Sequence, residues 1–147
     1  MFNKDETKAT GKLTVEIKDK DGKVKDTRQL TNLVVSDGLD FIASRMKDAT
    51  ATAMSHMAIG TGSTAAASGD SALGTEAARQ ALTSTTVSTN TVSYVASFAA
   101  GTGTGAITEA GILNAASSGT LLCRTVFSVV NKGASDSMTI TWTITIS

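Results

Sequence analysis

Ser137-Met138-Thr139-Ile140-Thr141-Trp142-Thr143-Ile144-Thr145-Ile146 is the most regular stretch of the chain, an unbroken alternation of apolar and hydroxyl-bearing side chains. A period of two sets Met138, Ile140, Trp142, Ile144 and Ile146 on one face of a strand and the four threonines on the other. Threonine is β-branched, so the wet face favours extended backbone as much as the dry one. A strand with one dry face needs a second layer to cover it, and the rest of the chain must supply that layer.

Working back from it, Val92, Tyr94, Ala96 and Phe98 alternate with small polar residues, and apolar runs at Met57–Ile59, Ile107–Leu113 and Leu121–Val130 read as further strands. Gly101-Thr-Gly-Thr-Gly105, Asn114–Gly119 and Asn131-Lys-Gly133 supply the turns between them. Near the start, Leu13, Val15 and Ile17 alternate with polar residues, and Asp19-Lys20-Asp21-Gly22 provides a tight turn before Val24. The pattern predicts an N-terminal β-hairpin whose charged face suits a solvated or edge position. Leu39, Ile42, Ala43 and Met46 then fall at i, i+3, i+4 and i+7, which predicts one helix over about 36–48 with Ser36 as its N-cap and Asp37 in its first turn. The expected fold is mainly β: a β-sandwich or barrel-like (jelly-roll-like) domain with one short helix and an N-terminal β-hairpin.

Charge divides the chain. Residues 1–48 carry ten of the thirteen basic and nine of the thirteen acidic residues. From Ala49 onward only seven charges remain: Asp70, Glu76, Arg79, Glu109, Arg124, Lys132 and Asp136. The division suggests a charged segment over 1–35 and a neutral β domain over 36–147, built as one folding unit. Formal net charge is zero, so no chain-wide field attracts nucleic acid or an anionic membrane, and neither is expected as a partner. Met1–Glu6 lacks the apolar core of a signal peptide, and no apolar run nears the ~20 residues of a membrane span, so synthesis in a cytoplasm is expected.

Residue types that carry chemistry are scarce. His56 is the single histidine and Cys123 the single cysteine. A partly buried histidine at a strand entrance and a small apolar core residue are the plainer readings, with a Cys123–His56 dyad as the alternative. Gly60-Thr61-Gly62 superficially resembles a dinucleotide fingerprint but lacks the following helix and the distal acid, and Gly101–Gly105 lacks the lysine of a phosphate loop. Both read as surface turns. Asp19-Lys20-Asp21-Gly22 opens like a calcium loop without its later ligands. Glu109 and Arg124 are isolated charges in neutral strands, suited to pair with each other or across a subunit boundary. Trp142 reads as core. No catalytic, cofactor-binding or metal-binding residue is expected, and no enzyme activity.

The wording of the neutral half carries one further indication. Thr31–Val35 with Gly38–Ala43, Met54–Ala66 (MSHMAIGTGSTAA), Asp70 with Leu73–Glu76, Gly101–Ala115 (GTGTGAITEAGILNA), Leu122–Phe127 and Met138–Ile144 together resemble a recurring family of small structural proteins of tailed-bacteriophage virions. The resemblance spans about residues 31–147 and brings no catalytic residues with it. It implies a virion component made in the host bacterial cytoplasm. A capsid decoration or cement protein is the first expectation, binding the major capsid protein as a homo-oligomer, with a trimer favoured. A tail, fibre or baseplate component is the alternative, in which the partners are tail proteins; a small virion-associated hydrolase comes third.

Overall fold

The computed structural model describes residues 7–47 and 51–147; Met1–Glu6, read above for a leader, and Asp48, the expected last helical residue, lie outside them. Among the described residues nine strands and one helix follow in chain order: β1 (Ala9–Lys18), β2 (Val24–Val34), α1 (Ser36–Ser44), β3 (His56–Gly60), β4 (Glu76–Ala81), β5 (Ser84–Ser88), β6 (Thr91–Phe98), β7 (Gly105–Leu113), β8 (Leu121–Lys132) and β9 (Ser137–Ile146). The opening alternation is seated as the pattern requires. Met138, Ile140, Trp142 and Ile144 of β9 are buried, while Thr139, Thr141, Thr143 and Thr145 line the other face.

All strands join one antiparallel sheet in the order β4-β3-β7-β8-β2-β1-β9-β6-β5. Its two ends, β4 and β5, are consecutive in the chain and separated only by Leu82 and Thr83. A chain that steps from one edge of a nine-stranded sheet to the other in two residues forces the sheet to curl, bringing the end of β4 near the start of β5 without pairing the two strands. The result is a curled half-barrel. Thr83 N–H donates to the Val95 carbonyl at 2.7 Å and Leu82 N–H to the Ser55 carbonyl at 2.9 Å, which tie that crossing to both neighbours. Side chains on the inner face, among them Leu13, Val15, Ile17, Met57, Ile59, Phe98, Ile112, Ile140 and Trp142, form the main core.

The predicted hairpin is present, but it is central. β1 pairs with β9 along its whole length, from Ala9↔Ile146 to Lys18↔Ser137, and β2 reaches β8 through Leu33↔Arg124 and Val34↔Cys123. Its charges mark the outer face of mid-sheet strands, where Glu16 and Lys18 pair at 3.5 Å, and they do not mark an edge. The turn is the expected one: the Asp19 carboxylate accepts from the amides of Asp21 and Lys23, and Gly22 takes φ +80°.

The helix begins where expected but docks on a different stripe. Val35 is its N-cap, in extended conformation and without a side-chain cap; Ser36 lies inside the helix, and its amide bonds instead to the Ser68 carbonyl. Leu39 and Met46, two members of the expected apolar face, are 50% and 87% exposed. Contact runs through Gly38, Phe41 and Ile42, with Phe41 and Ile42 packed on the core and Gly38 pressed against the Leu122 carbonyl. A count of apolar residues passes over Gly38, yet its missing side chain lets the helix come close, and this sets the rotation. Strands β4 and β5 were not anticipated, because their apolar content is too low to show a period.

Candidate functional site

The loop from Thr61 to Thr75, between β3 and β4, folds back over the outer face of the β3–β7–β8 part of the sheet. Leu73 drops from it into a second, smaller core with Val35, Ala58, Leu113 and Leu121. Beside that core lies a buried ionic knot. Glu109 on β7 is 0% exposed and Arg124 on β8 is 2% exposed. β7 and β8 set Glu109 opposite Val126 and Gly111 opposite Arg124, so the two charges are diagonal neighbours on one face. Arg124 donates from Nε at 3.0 Å and from Nη2 at 2.8 Å to the same carboxylate oxygen, Glu109 Oε2.

Loop backbone completes the carboxylate's shell. Gly62 N–H (2.9 Å) and Thr75 N–H (2.7 Å) donate to Oε1, and Gly74 N–H (2.8 Å) donates to Oε2. Arg124 in turn donates from Nη1 to Asp70 at 2.8 Å and from Nη2 to the Thr64 carbonyl at 3.0 Å, and Asp70 also accepts from the Ala67 amide at 2.9 Å. The glycines are required by proximity. A Cβ on Gly62 would run into the Glu109 carboxylate, and one on Gly60 into the Thr75 carbonyl as well. Sequence reading took Gly60-Thr61-Gly62 for a plain surface turn; Gly60 is buried, and the two glycines clear the space into which Glu109 projects.

Burial alone would push the Glu109 carboxyl up. The amides of Thr75 and Gly74, the Arg124 guanidinium and the Gly62 amide outweigh it and hold the group below the ordinary carboxylate range. Asp70 is likewise lowered, by the Ala67 amide and then by Arg124 against the opposing effect of burial. The arrangement is a charge pair whose carboxylate is fully hydrogen-bonded from within the chain, and pairing with hydrogen bonds is the condition under which buried ions are tolerated.

The remaining charges of the neutral half have similar roles. Arg79 on β4 pairs with Glu76 at 2.6 Å and donates to the carbonyls of Ala115 and Ser118, holding the β7–β8 turn. Lys132, 1% exposed, donates to the carbonyls of Ala99 and Asp136. Asp136 accepts from the Gly133 amide and from Lys25 of β2, both at 2.8 Å. Six of the seven charges after Ala49 therefore tie loops or turns to the sheet, and the seventh, Glu76, holds Arg79 in place on the same strand. Sequence reading paired Glu109 with Arg124 correctly but had no signal for the backbone partners, since carbonyls and amides leave no mark in composition.

The other candidates lie apart. Cys123 is fully buried on the inner face, opposite Ile112, and burial pushes its thiol well up. His56 pairs with Leu113, the strand neighbour of Ile112, and so projects to the opposite face of the sheet. The two cannot form a dyad. His56 Nδ1 contacts Ser55 Oγ at 2.8 Å, and among the described residues no carboxylate orients that ring. Gly101–Gly105 is a turn with three positive φ angles, and Trp142 is core with its indole N–H unpartnered. Among the described residues no group of three His, Cys, Asp or Glu could hold a metal, and no helix is long and apolar enough to cross a membrane. A cavity of about 320 Å³ opens at one end of the half-barrel between α1 and β5, β6 and β9; its lining is mainly apolar, with Arg45, Thr85 and Tyr94 as the polar members. No family model, curated protein or solved structure matches the chain.

Proposed function

We propose that this chain is a structural component of a tailed-phage virion, a capsid decoration protein that binds the outer shell as a closed homo-oligomer and reinforces contacts between major capsid subunits. The observation that carries the proposal is where the resembling phrases come together. Gly60 and Gly62, Asp70 with Gly74-Thr75, Glu109 and Arg124 belong to resembling phrases far apart in sequence, and they meet in the one buried knot. Those residues act as a signature of architecture: each is explained by locking the 61–75 loop, and the Glu109 carboxylate is fully engaged by five donors from within the chain. Such a protein acts by presenting a fixed surface many times over, so that modest contacts add through symmetry. A decoration role also suits a domain whose long loop is locked to the sheet by internal ion pairs, because rigid surfaces lose little entropy on binding.

Copy number per purified particle tests this directly, measured by quantitative mass spectrometry against the major capsid protein. Stoichiometry near one per capsid subunit, or a simple fraction of it, supports shell decoration. A few copies to a few dozen per particle would move the protein to the tail and overturn the capsid assignment; absence from the particle would overturn the virion reading altogether.

A further inference from the structure

We infer that β5 is a dimerisation edge, pairing antiparallel with β5 of a second copy about a two-fold axis centred on Thr86. The inference is independent of the virion reading. β5 ends the sheet, and all five of its residues are exposed. Edge strands in folded proteins are ordinarily guarded by charge, proline or a bulge. The opposite edge, β4, has such a guard in Glu76 and Arg79. β5, Ser84-Thr85-Thr86-Val87-Ser88, has none, and its pairing with β6 runs without a bulge from Ser84↔Val95 to Ser88↔Thr91.

The geometry selects the partner. Ser88 and Thr91 flank a two-residue turn at Thr89-Asn90 and so form a hydrogen-bonded pair; Thr86 and Ser84 follow it at period two and direct their backbone groups inward to β6. Thr85 and Val87 therefore direct N–H and C=O outward. With Thr86 on the axis, Thr85 of one copy faces Val87 of the other, and each such pair exchanges both backbone hydrogen bonds. The strand is thus complementary to itself. Side chains agree with backbone: Thr85 and Val87 lie on the inner side and line the terminal cavity, and Val87 is 72% exposed there. Pairing would cover that valine with a β-branched neighbour from the second copy. Charge agrees as well, since no Asp, Glu, Lys or Arg occurs from Gln80 to Thr108, so the strand itself brings no like charges to a contact with its own copy. Self-complementarity of this kind is two-fold, in contrast to the three-fold assembly that the resemblance implies.

Thr86→Cys tests the register. Non-hydrogen-bonded antiparallel pairs hold Cα atoms about 4.5 Å apart, within the range of a disulfide. Mild oxidation of the full chain should give a covalent dimer on a non-reducing gel, well ahead of Thr141→Cys, an exposed control on β9; native Cys123 is buried and stays silent. In parallel, sedimentation velocity over a concentration series should show a monomer–dimer equilibrium in the wild type. Val87→Pro removes an outward N–H without touching the β5–β6 ladder and should abolish the dimer. Val87→Lys sets two like charges near the axis and should weaken it by about tenfold or more, deciding the matter if the proline variant does not fold. A wild type that stays monomeric, a dimer that survives both Val87 variants, or Thr86→Cys crosslinking no faster than Thr141→Cys would each overturn the inference.

Discussion

Replacing Glu109 by glutamine keeps the side chain's shape and removes its charge, so it isolates what the carboxylate does. Five donors converge on its two oxygens: Gly62 and Thr75 amides at Oε1, and the Gly74 amide with Arg124 Nε and Nη2 at Oε2. Glutamine has one acceptor oxygen and one amino group. Placed toward Oε1, the amino group confronts two donors; placed toward Oε2, it confronts three, two of them from the guanidinium. Either rotamer leaves buried donors facing a donor and leaves Arg124 with only Asp70 as its ionic partner. Breaking a buried ion pair from one side costs about 3–5 kcal/mol. For a domain whose whole stability is about 5–15 kcal/mol, that loss is large without guaranteeing collapse.

The assay is urea unfolding followed by the fluorescence of Trp142, the single tryptophan, which is fully buried in the main core. With a slope of about 2 kcal/mol per molar urea, the midpoint should fall by roughly 2 M. A pH series adds an independent check. The lowered Glu109 value means that the native state binds fewer protons than the unfolded chain once pH drops below the ordinary carboxylate range. Wild-type stability should therefore be full above that range and decline as pH falls through the folded-state value, and Glu109→Gln should flatten the decline. A destabilisation under about 1 kcal/mol with an unchanged acid profile would refute the account of the knot as the anchor of the 61–75 loop.

Three other expectations are more local. Gly38→Ala should destabilise by about 1–3 kcal/mol in thermal melts, because the new methyl overlaps the Leu122 carbonyl oxygen and this outweighs the roughly 1 kcal/mol by which alanine favours a helix. Thr89→Gly should stabilise by about 0.5–1 kcal/mol in the same assay, since Thr89 holds φ +55° in the β5–β6 turn and a β-branched residue is strained there. Tyr94, the only tyrosine, has its phenol pushed up to about 12 by burial, so tyrosinate absorbance should titrate near that pH. Its contribution to stability is complete below the ordinary tyrosine value near 10 and is lost as pH rises from there toward 12; a midpoint near 10 in the folded protein would contradict the packing.

Strands whose apolar residues alternate were legible, and β9 is the extreme case because both its faces favour extended backbone. β4 and β5 were not, for a physical reason. Glu-Ala-Ala-Arg-Gln-Ala and Ser-Thr-Thr-Val-Ser bury little, so selection for a dry face has not shaped them; the sheet on one side and the two-residue crossing at Leu82-Thr83 hold them extended. The helix shows the converse limit. Its apolar residues predicted a face, but the close approach of Gly38 to the Leu122 carbonyl decided the rotation, and periodicity assigns no weight to a missing side chain.

The charges link these observations to function. A composition poor in charge beyond Ala49 reads first as a bland surface, yet the seven that remain lie at the joints where loops must be held, and Glu109, Arg124 and Lys132 are almost wholly withdrawn from solvent. With its ions assigned to internal ties, the neutral half presents threonine, serine and unpaired backbone outward. Recognition by such a surface depends on shape and on backbone hydrogen bonds more than on long-range attraction. β5 is where this is sharpest: it is uncharged, uncapped and self-complementary, and it adjoins an apolar cavity with a valine at the rim. Assembly through that edge should accordingly be almost insensitive to salt, while docking through the charged outer face of β1 and β2 should weaken as salt is raised. Dimer dissociation constants measured at low and high ionic strength separate the two: a strong salt dependence of self-association would place the contact on the hairpin face and away from β5.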